Sequence, residues 1–338
     1  MRPVDNPPNP WSSSHVDWLG EPPDQPLVVY EEDAKSILSE NDSPDLPFRW
    51  SLNPYRGCFH GCAYCYARPS HQYLGFGAGT DWERRLVVKR NAAALLRAHL
   101  QKASWQGELI AFSGVTDCYQ PLEATYGLTR ACLEVCRDFR QPVGIITKGA
   151  LVERDVDVLA DLARHGAATV FVSVPFADAA DSRAIEPFVA LPERRFAAMK
   201  ALADAGVPVG VSVSPLIPGL NDHQVPEILE RAHAAGAKHA FHVLLRLPAE
   251  VEDVFVARLR AAFPLRAEKV LSILRGMHGG NLKDARFHHR MRGEGPRYEL
   301  IAQLFRTVGK RLGLLPPERP GPSSFRRPFQ QQGLFDGA

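Results

Sequence analysis

Cys58-Phe59-His60-Gly61-Cys62-Ala63-Tyr64-Cys65-Tyr66 gathers three of the chain's six cysteines into one short run and offers no fourth until Cys118. Spacings of four and three suit one face of a helix, yet Gly57 and Gly61 favour a loop that wraps a ligand. The N-terminal residues lack the apolar core of a secretory signal, which predicts a cytoplasmic protein whose cysteines stay reduced. Tight thiol spacing then points to metal binding or catalysis rather than to disulfides. A structural zinc site takes four protein ligands; His60 is a fourth on paper but lies between two proposed ligands. An iron–sulfur cluster is usually held by four thiolates, so three leave one iron with an open position. Open positions on metals are where chemistry occurs.

Around this motif the chain repeats. A weak strand over 48–53 precedes the cysteines, and LIAFSG (109–114), VGIIT (143–147), ATVFVSV (168–174), VPVGVSV (207–213) and HAFHVLL (239–245) follow as β-branched apolar runs. Amphipathic helical patterns separate them, several ending at glycines such as Gly166, Gly206 and Gly236. Six such units predict an α/β fold, a partial (β/α)6 TIM-like barrel over 48–265; a doubly wound sheet is the rival. Residues 1–47, rich in Pro, Asp and Ser, read as an irregular N-terminal arm. Residues 266–314 read as a C-terminal helical extension packed on the barrel, and 315–338 as a flexible tail. Both architectures place ligands at the C-terminal ends of the strands. There the chain is polar on five different strands: Ser113-Gly114-Val115-Thr116-Asp117, Thr147-Lys148, Ser173, Ser212 with Ser214, and Arg246.

Composition excludes little else. Among 338 residues, 40 basic and 38 acidic side chains leave a formal charge of +2, so the average charge names no partner. Its distribution is more informative. Arg275, Lys283, Arg286, Arg290, Arg292 and Arg297, interleaved with His278, His288 and His289, form a candidate basic surface, with an ordinary solvated face as the alternative. No run approaches the length of a membrane span. Cys132 and Cys136, four apart on a helical pattern, read as core residues.

The triplet Cys58, Cys62, Cys65, with Tyr64 before the last cysteine, resembles the signature of the radical S-adenosylmethionine (SAM) superfamily. The resemblance spans about Trp50 to Leu247. It implies a 4Fe-4S cluster held by the three cysteines, with the amino and carboxylate groups of SAM on the fourth iron. It further implies reductive cleavage of SAM to a 5'-deoxyadenosyl radical that abstracts hydrogen, fed by a reducing partner of flavodoxin or ferredoxin type. It assigns Ser113, Gly114 and Thr116 to the SAM amino group, although the usual Gly-Gly-Glu form is absent. Lys148 and Ser173 fall to the carboxylate and ribose, and Val211-Ser212-Val213 to the adenine.

Within the superfamily, Cys62-Ala63-Tyr64-Cys65-Tyr66, Asp81-Trp82-Glu83, Thr116-Asp117, Thr147-Lys148 and Ile185-Glu186-Pro187 are similar to the spore photoproduct lyase group. That group implies hydrogen abstraction from a thymine dimer in DNA and hydrogen return through a cysteine aided by tyrosines. Tyr64 and Tyr66 match the tyrosine positions. The group's cysteine falls near Ser113 or Gly114, and the nearest thiol here is Cys118, which otherwise reads as a small buried residue. The expectation is a lyase-like enzyme of DNA repair or modification. The alternatives are a non-catalytic iron–sulfur or zinc module that binds nucleic acid, or a radical SAM enzyme acting on a peptide or small metabolite. Gln331, Leu334 and Phe335 also resemble the short peptide by which bacterial repair proteins dock onto the replication sliding clamp.

Overall fold

The computed structural model describes residues 26–284, 286–317 and 323–328. Ten strands form among them: β1 (Val28–Glu32), β2 (Leu38–Glu40), β3 (Trp50–Leu52), β4 (Tyr55–Arg56), β5 (Arg85–Lys89), β6 (Ile110–Phe112), β7 (Val143–Thr147), β8 (Ala168–Ser173), β9 (Val209–Leu216) and β10 (His239–Leu244). The β-branched runs form strands because they are covered on both faces, which favours uninterrupted apolar sequence. Ile110, Phe112, Val143, Ile145, Val170, Val172, Val209, Val211 and Val213 are all buried. Each such side chain contributes about 1.5–3 kcal/mol of burial.

Seven strands make one sheet in the order β10-β9-β8-β7-β6-β3-β2. The six from β3 to β10 are parallel neighbours in chain order, with registers such as Ile110↔Val143 and Val170↔Val209. A doubly wound sheet reverses its strand order part-way; this one does not, so the fold is the open, partial (β/α)6 barrel. Both edges are shielded, as exposed edges invite unwanted pairing. β2 closes one edge antiparallel to β3, and Leu315 lies against His239 at the other.

The helices are α1 (Asp81–Arg84), α2 (Ala92–Leu100), α3 (Glu123–Tyr126), α4 (Leu128–Asp138), α5 (Val156–Ala163), α6 (Ala179–Ile185), α7 (Pro192–Asp204), α8 (Val225–Ala234), α9 (Val251–Ala262), α10 (Ala267–Met277) and α11 (Pro296–Arg311). α2, α4, α5, α7 and α8 pack side by side as the outer layer, and α11 takes the next place beside α8. Cys132 and Cys136 are fully buried on α4. No helix among the described residues is long and apolar enough to cross a membrane.

Two expectations need correction. The N-terminal arm is not irregular throughout: β1 pairs parallel with β5 from Val28↔Arg85 to Glu32↔Lys89, and β5 pairs antiparallel with β4. Val28, Val29 and Tyr30 suit a strand, but their partner lies far along the chain and leaves no local trace. The tail after 315 is also partly anchored. Ser323 Oγ donates to the Gly107 carbonyl, Arg327 donates to the carbonyls of Lys102 and Trp105, and the Phe325 ring stacks on Phe139. Gly107, at φ +75°, leaves the notch that Phe325 fills; a Cβ there would overlap the ring. Replacing Phe325 with alanine should cost about 1–2 kcal/mol, read as a lower urea midpoint with unchanged slope.

Candidate active site

β4 leads directly into the cysteine loop. Gly57 and Gly61 adopt φ of +72° and +64°, where a side chain is strained. The loop is irregular, so its carbonyls need partners from elsewhere. Arg68 supplies them. Its buried guanidinium donates from Nε to the Cys62 carbonyl (3.1 Å), from Nη1 to those of Ala78 (3.1 Å) and Gly79 (2.7 Å), and from Nη2 to that of Gly61 (3.1 Å) and to Glu83 Oε2 (2.7 Å). Every N–H of the guanidinium is thereby used. Cys58 N donates to the Trp82 carbonyl, Phe59 N to Gln120 Oε1, and Gln120 Nε2 to the Gly57 carbonyl.

A second buried charge pair fixes the far side of the loop. The Tyr64 hydroxyl donates to Glu186, which is paired with Arg195; Arg195 and Glu186 are both fully enclosed. Arg195 also donates to the carbonyls of Ala190 (2.6 Å) and Ser173 (3.1 Å), so it links the cysteine loop to the end of β8. Burial opposes the Glu186 charge, but Arg195, Lys148 and the Tyr64 hydroxyl together hold the carboxyl below its ordinary value. Burial and the Glu186 carboxylate together push the Tyr64 phenol well up. Tyr64 is therefore a positioning residue.

A cavity of about 720 Å³ opens at the C-terminal ends of the strands. Cys58, Cys62, Cys65, Tyr64, Tyr66, Ser113, Gly114, Thr116, Lys148, Ser173 and Ser212 all line it. Asp117 ties three of its walls together. It accepts from Thr147 Oγ1 (2.6 Å) and Lys148 N (2.7 Å) and faces His60 Nδ1 at 3.4 Å. Burial disfavours the Asp117 charge, yet His60 and these donors hold its pKa down to about 2. His60 is thereby engaged with Asp117. The Thr116 hydroxyl donates to the Gly57 carbonyl (2.5 Å) and the Ser173 hydroxyl to the Ser214 carbonyl (3.1 Å). Tyr66 is 53% exposed, and its hydroxyl donates to the Gly114 carbonyl at 2.7 Å.

Cys118 is not part of this cavity, which corrects its candidacy as a hydrogen donor. It is fully buried in the main core with Tyr119 and Cys132. Its backbone is held by N–H donation to Ser113 Oγ (2.9 Å) and by Thr129 Oγ1 donating to its carbonyl (2.6 Å). Burial keeps the thiol protonated, its pKa far above the ordinary range. Ser113, which receives that bond, sits at φ +76°, a strained conformation for a residue with a side chain.

Four of the six basic residues of the stretch are engaged by carboxylates, from within it and from elsewhere. Lys283 meets Glu252, Arg286 meets Asp284 and Glu294, Arg297 meets Asp222, and Arg290 is paired with Asp45. The Asp45 carboxylate also accepts from His288 N (2.6 Å), and Arg290 donates to Ser43 Oγ (2.5 Å). This latch brings Phe287, Arg290 and Met291 into the cavity lining beside Asn41, Asp42 and Ser43.

The model of the radical SAM superfamily matches residues 52–232, more than half of the chain and the whole of the cysteine loop. The chain belongs to the radical SAM superfamily. An uncharacterized protein of Mycobacterium tuberculosis is 36% identical over 241 residues, covering 70% of this chain and 71% of its own length. An uncharacterized protein of Methanocaldococcus jannaschii is 32% identical over 196 residues, covering 58% and 70% respectively. In three dimensions the chain shares its fold with spore photoproduct lyase. The structure of that enzyme complexed with dinucleoside spore photoproduct superposes with a TM-score of 0.63 at 13% identity, over 85% of this chain and 81% of the lyase. A tyrosine-to-phenylalanine mutant of the lyase superposes with a TM-score of 0.63 at 14% identity, over 90% and 88%.

The donor set suits the iron–sulfur cluster that the superfamily implies. Burial, Glu186 and the neighbouring thiols push Cys62 well up, and burial with the Cys58 charge pushes Cys65 up to about 11. Three thiolates do not share this loop without a compensating cation, which a metal centre provides. Among the described residues no three His, Cys, Asp or Glu side chains converge as one metal ion requires; a cluster takes one thiolate per iron. Arg68, Gln120 and Arg195 escaped the sequence reading, which named Glu186 only within a motif, since an arginine carries no mark of its burial in the sequence. Arg68→Ala should destabilise the fold by about 3–5 kcal/mol, because it leaves Glu83 buried and uncompensated. Urea unfolding and iron content after anaerobic reconstitution should fall together.

Proposed function

We propose that the protein is a radical SAM enzyme that abstracts hydrogen from a short segment of nucleic acid, in DNA repair or modification of the lyase-like kind. The observation that carries this is a single cavity shared by the three motif cysteines, the polar strand ends and Tyr66. Its rim adds Phe287, half exposed, with the Arg290 guanidinium 4.5 Å from its ring centre, a surface on which a base can stack. The lyase that shares the fold is known in complex with a dinucleoside spore photoproduct, which supports the choice of substrate class.

In this reading Cys58, Cys62 and Cys65 hold a 4Fe-4S cluster, and SAM lies along the strand ends. When bound, cluster and SAM together supply a one-electron cleavage whose 5'-deoxyadenosyl fragment takes the hydrogen. The chain's own contribution is placement and exclusion of water. Lys148, 5.6 Å from the Tyr64 ring centre, offers a compact cation to the SAM carboxylate. Ser113 and Gly114 face the amino group, and Ser173 and Ser212 face the ribose and adenine. Thr116 acts through the Gly57 carbonyl, holding the loop. Tyr66, with its phenol on the cavity wall, is the group suited to assist hydrogen transfer. The reducing partner is of flavodoxin or ferredoxin type. The sliding-clamp peptide at Gln331, Leu334 and Phe335 lies outside the described residues.

Anaerobically reconstituted protein given dithionite and SAM should form 5'-deoxyadenosine. Changing Cys58, Cys62 or Cys65 to alanine should remove both iron and product, whereas Cys118→Ala should keep both. An intact cluster with no 5'-deoxyadenosine would overturn the reading.

A further inference from the structure

We infer that Arg246 is the anchor for a substrate phosphate at the mouth of the cavity. This deepens the nucleic-acid reading and rests on it. The sequence directs attention to the basic stretch, but the protein's own acids engage four of its six Lys and Arg residues. The cavity lining is more selective. Among its four basic side chains, His60 faces Asp117 and Arg290 is paired with Asp45. Lys148 and Arg246 make no ion pair and no side-chain hydrogen bond among the described residues. SAM brings one carboxylate. With Lys148 committed to it, one cation remains.

Arg246 follows β10 by two residues and is half-buried, where an unpaired guanidinium is costly. Burial and the nearby Arg290 charge both work against it, while the Tyr66 phenol and Asp45 only partly compensate. Its surroundings fix the class of anion. It shares the cavity lining with Tyr66, Phe287 and Arg290 and lies close enough to Tyr66 and Arg290 to feel their charges, so the phosphate of a base stacked on Phe287 is the anion suited to its fork. The planar, always-charged fork matches a phosphodiester bidentately. An arginine so placed holds one phosphate and reads no sequence.

The test uses the reconstituted holoprotein and a fluorescein-labelled single-stranded octathymidylate, titrated by anisotropy across a salt series. Arg246→Gln should weaken binding about tenfold at low salt. It should also reduce the slope of log K against log salt by about 0.7, the loss of one phosphate contact on a single strand. Arg246→Lys should restore the slope while recovering only part of the affinity, which a folding defect does not mimic. SAM affinity, measured by equilibrium dialysis, should fall for Lys148→Gln and change by less than about twofold for Arg246→Gln. If Arg246→Gln binds the oligonucleotide with unchanged affinity and slope, the inference fails while the nucleic-acid reading stands. If it loses SAM instead, Arg246 serves the SAM carboxylate and the inference fails. If wild-type protein binds no oligonucleotide at low salt, the nucleic-acid reading itself falls, and this anchor with it.

Discussion

The loop that offers three thiols to one ligand is neither helix nor strand, so its backbone lacks the partners that regular structure supplies. Its carbonyls must still be satisfied out of water. The buried Arg68 guanidinium resolves this conflict by committing all five N–H groups to the loop, its neighbours and Glu83. Buried ion pairs are often no more stable than apolar replacements. Here the pair is better understood as a former that gives an irregular backbone one shape. The small sheet serves the same end, since β1 braces β5, β5 braces β4, and Cys58 begins two residues after β4 ends.

The loop is then coupled to the barrel by groups from distant strands. Glu186 and Arg195 reach it from beyond β8, and Asp117 joins His60 to the end of β7. The polar ring at the strand ends is thus only partly a ligand surface. Thr116 and Tyr64 turn their hydroxyls to the scaffold, and Ser173 shares its own with the Ser214 carbonyl. Tyr66 donates to the Gly114 carbonyl, whereas Lys148 and Arg246 line the cavity with no ion pair and no side-chain hydrogen bond among the described residues.

What the sequence made legible was whatever repeats or clusters locally. Five β-branched runs and the weak strand before the cysteines became the six parallel strands, since burial on both faces favours apolar composition, and the clustered cysteines with their flanking glycines identified the loop. The strand ends located the cavity, since parallel strands bring their termini to one side. Interactions between residues far apart in the chain stayed hidden. Val28 to Glu32 looked like part of an irregular arm because β5 is its partner, and Asp45, Asp222 and Glu252 neutralise a stretch that looked basic when read alone. Cys118 shows the same limit: proximity to the second strand suggested the cavity, while its backbone bonds turn it to the core.

The docking of Phe325 over Gly107 has a geometric corollary. Gly107 and Phe139 precede β6 and β7, so the anchored segment lies at the end of the barrel away from the cavity. Pro328, the last described residue, therefore sits at the rear of the molecule. A surface or tether attached at Phe325 to Pro328 would hold the protein like a tool by its handle, with the cavity turned outward.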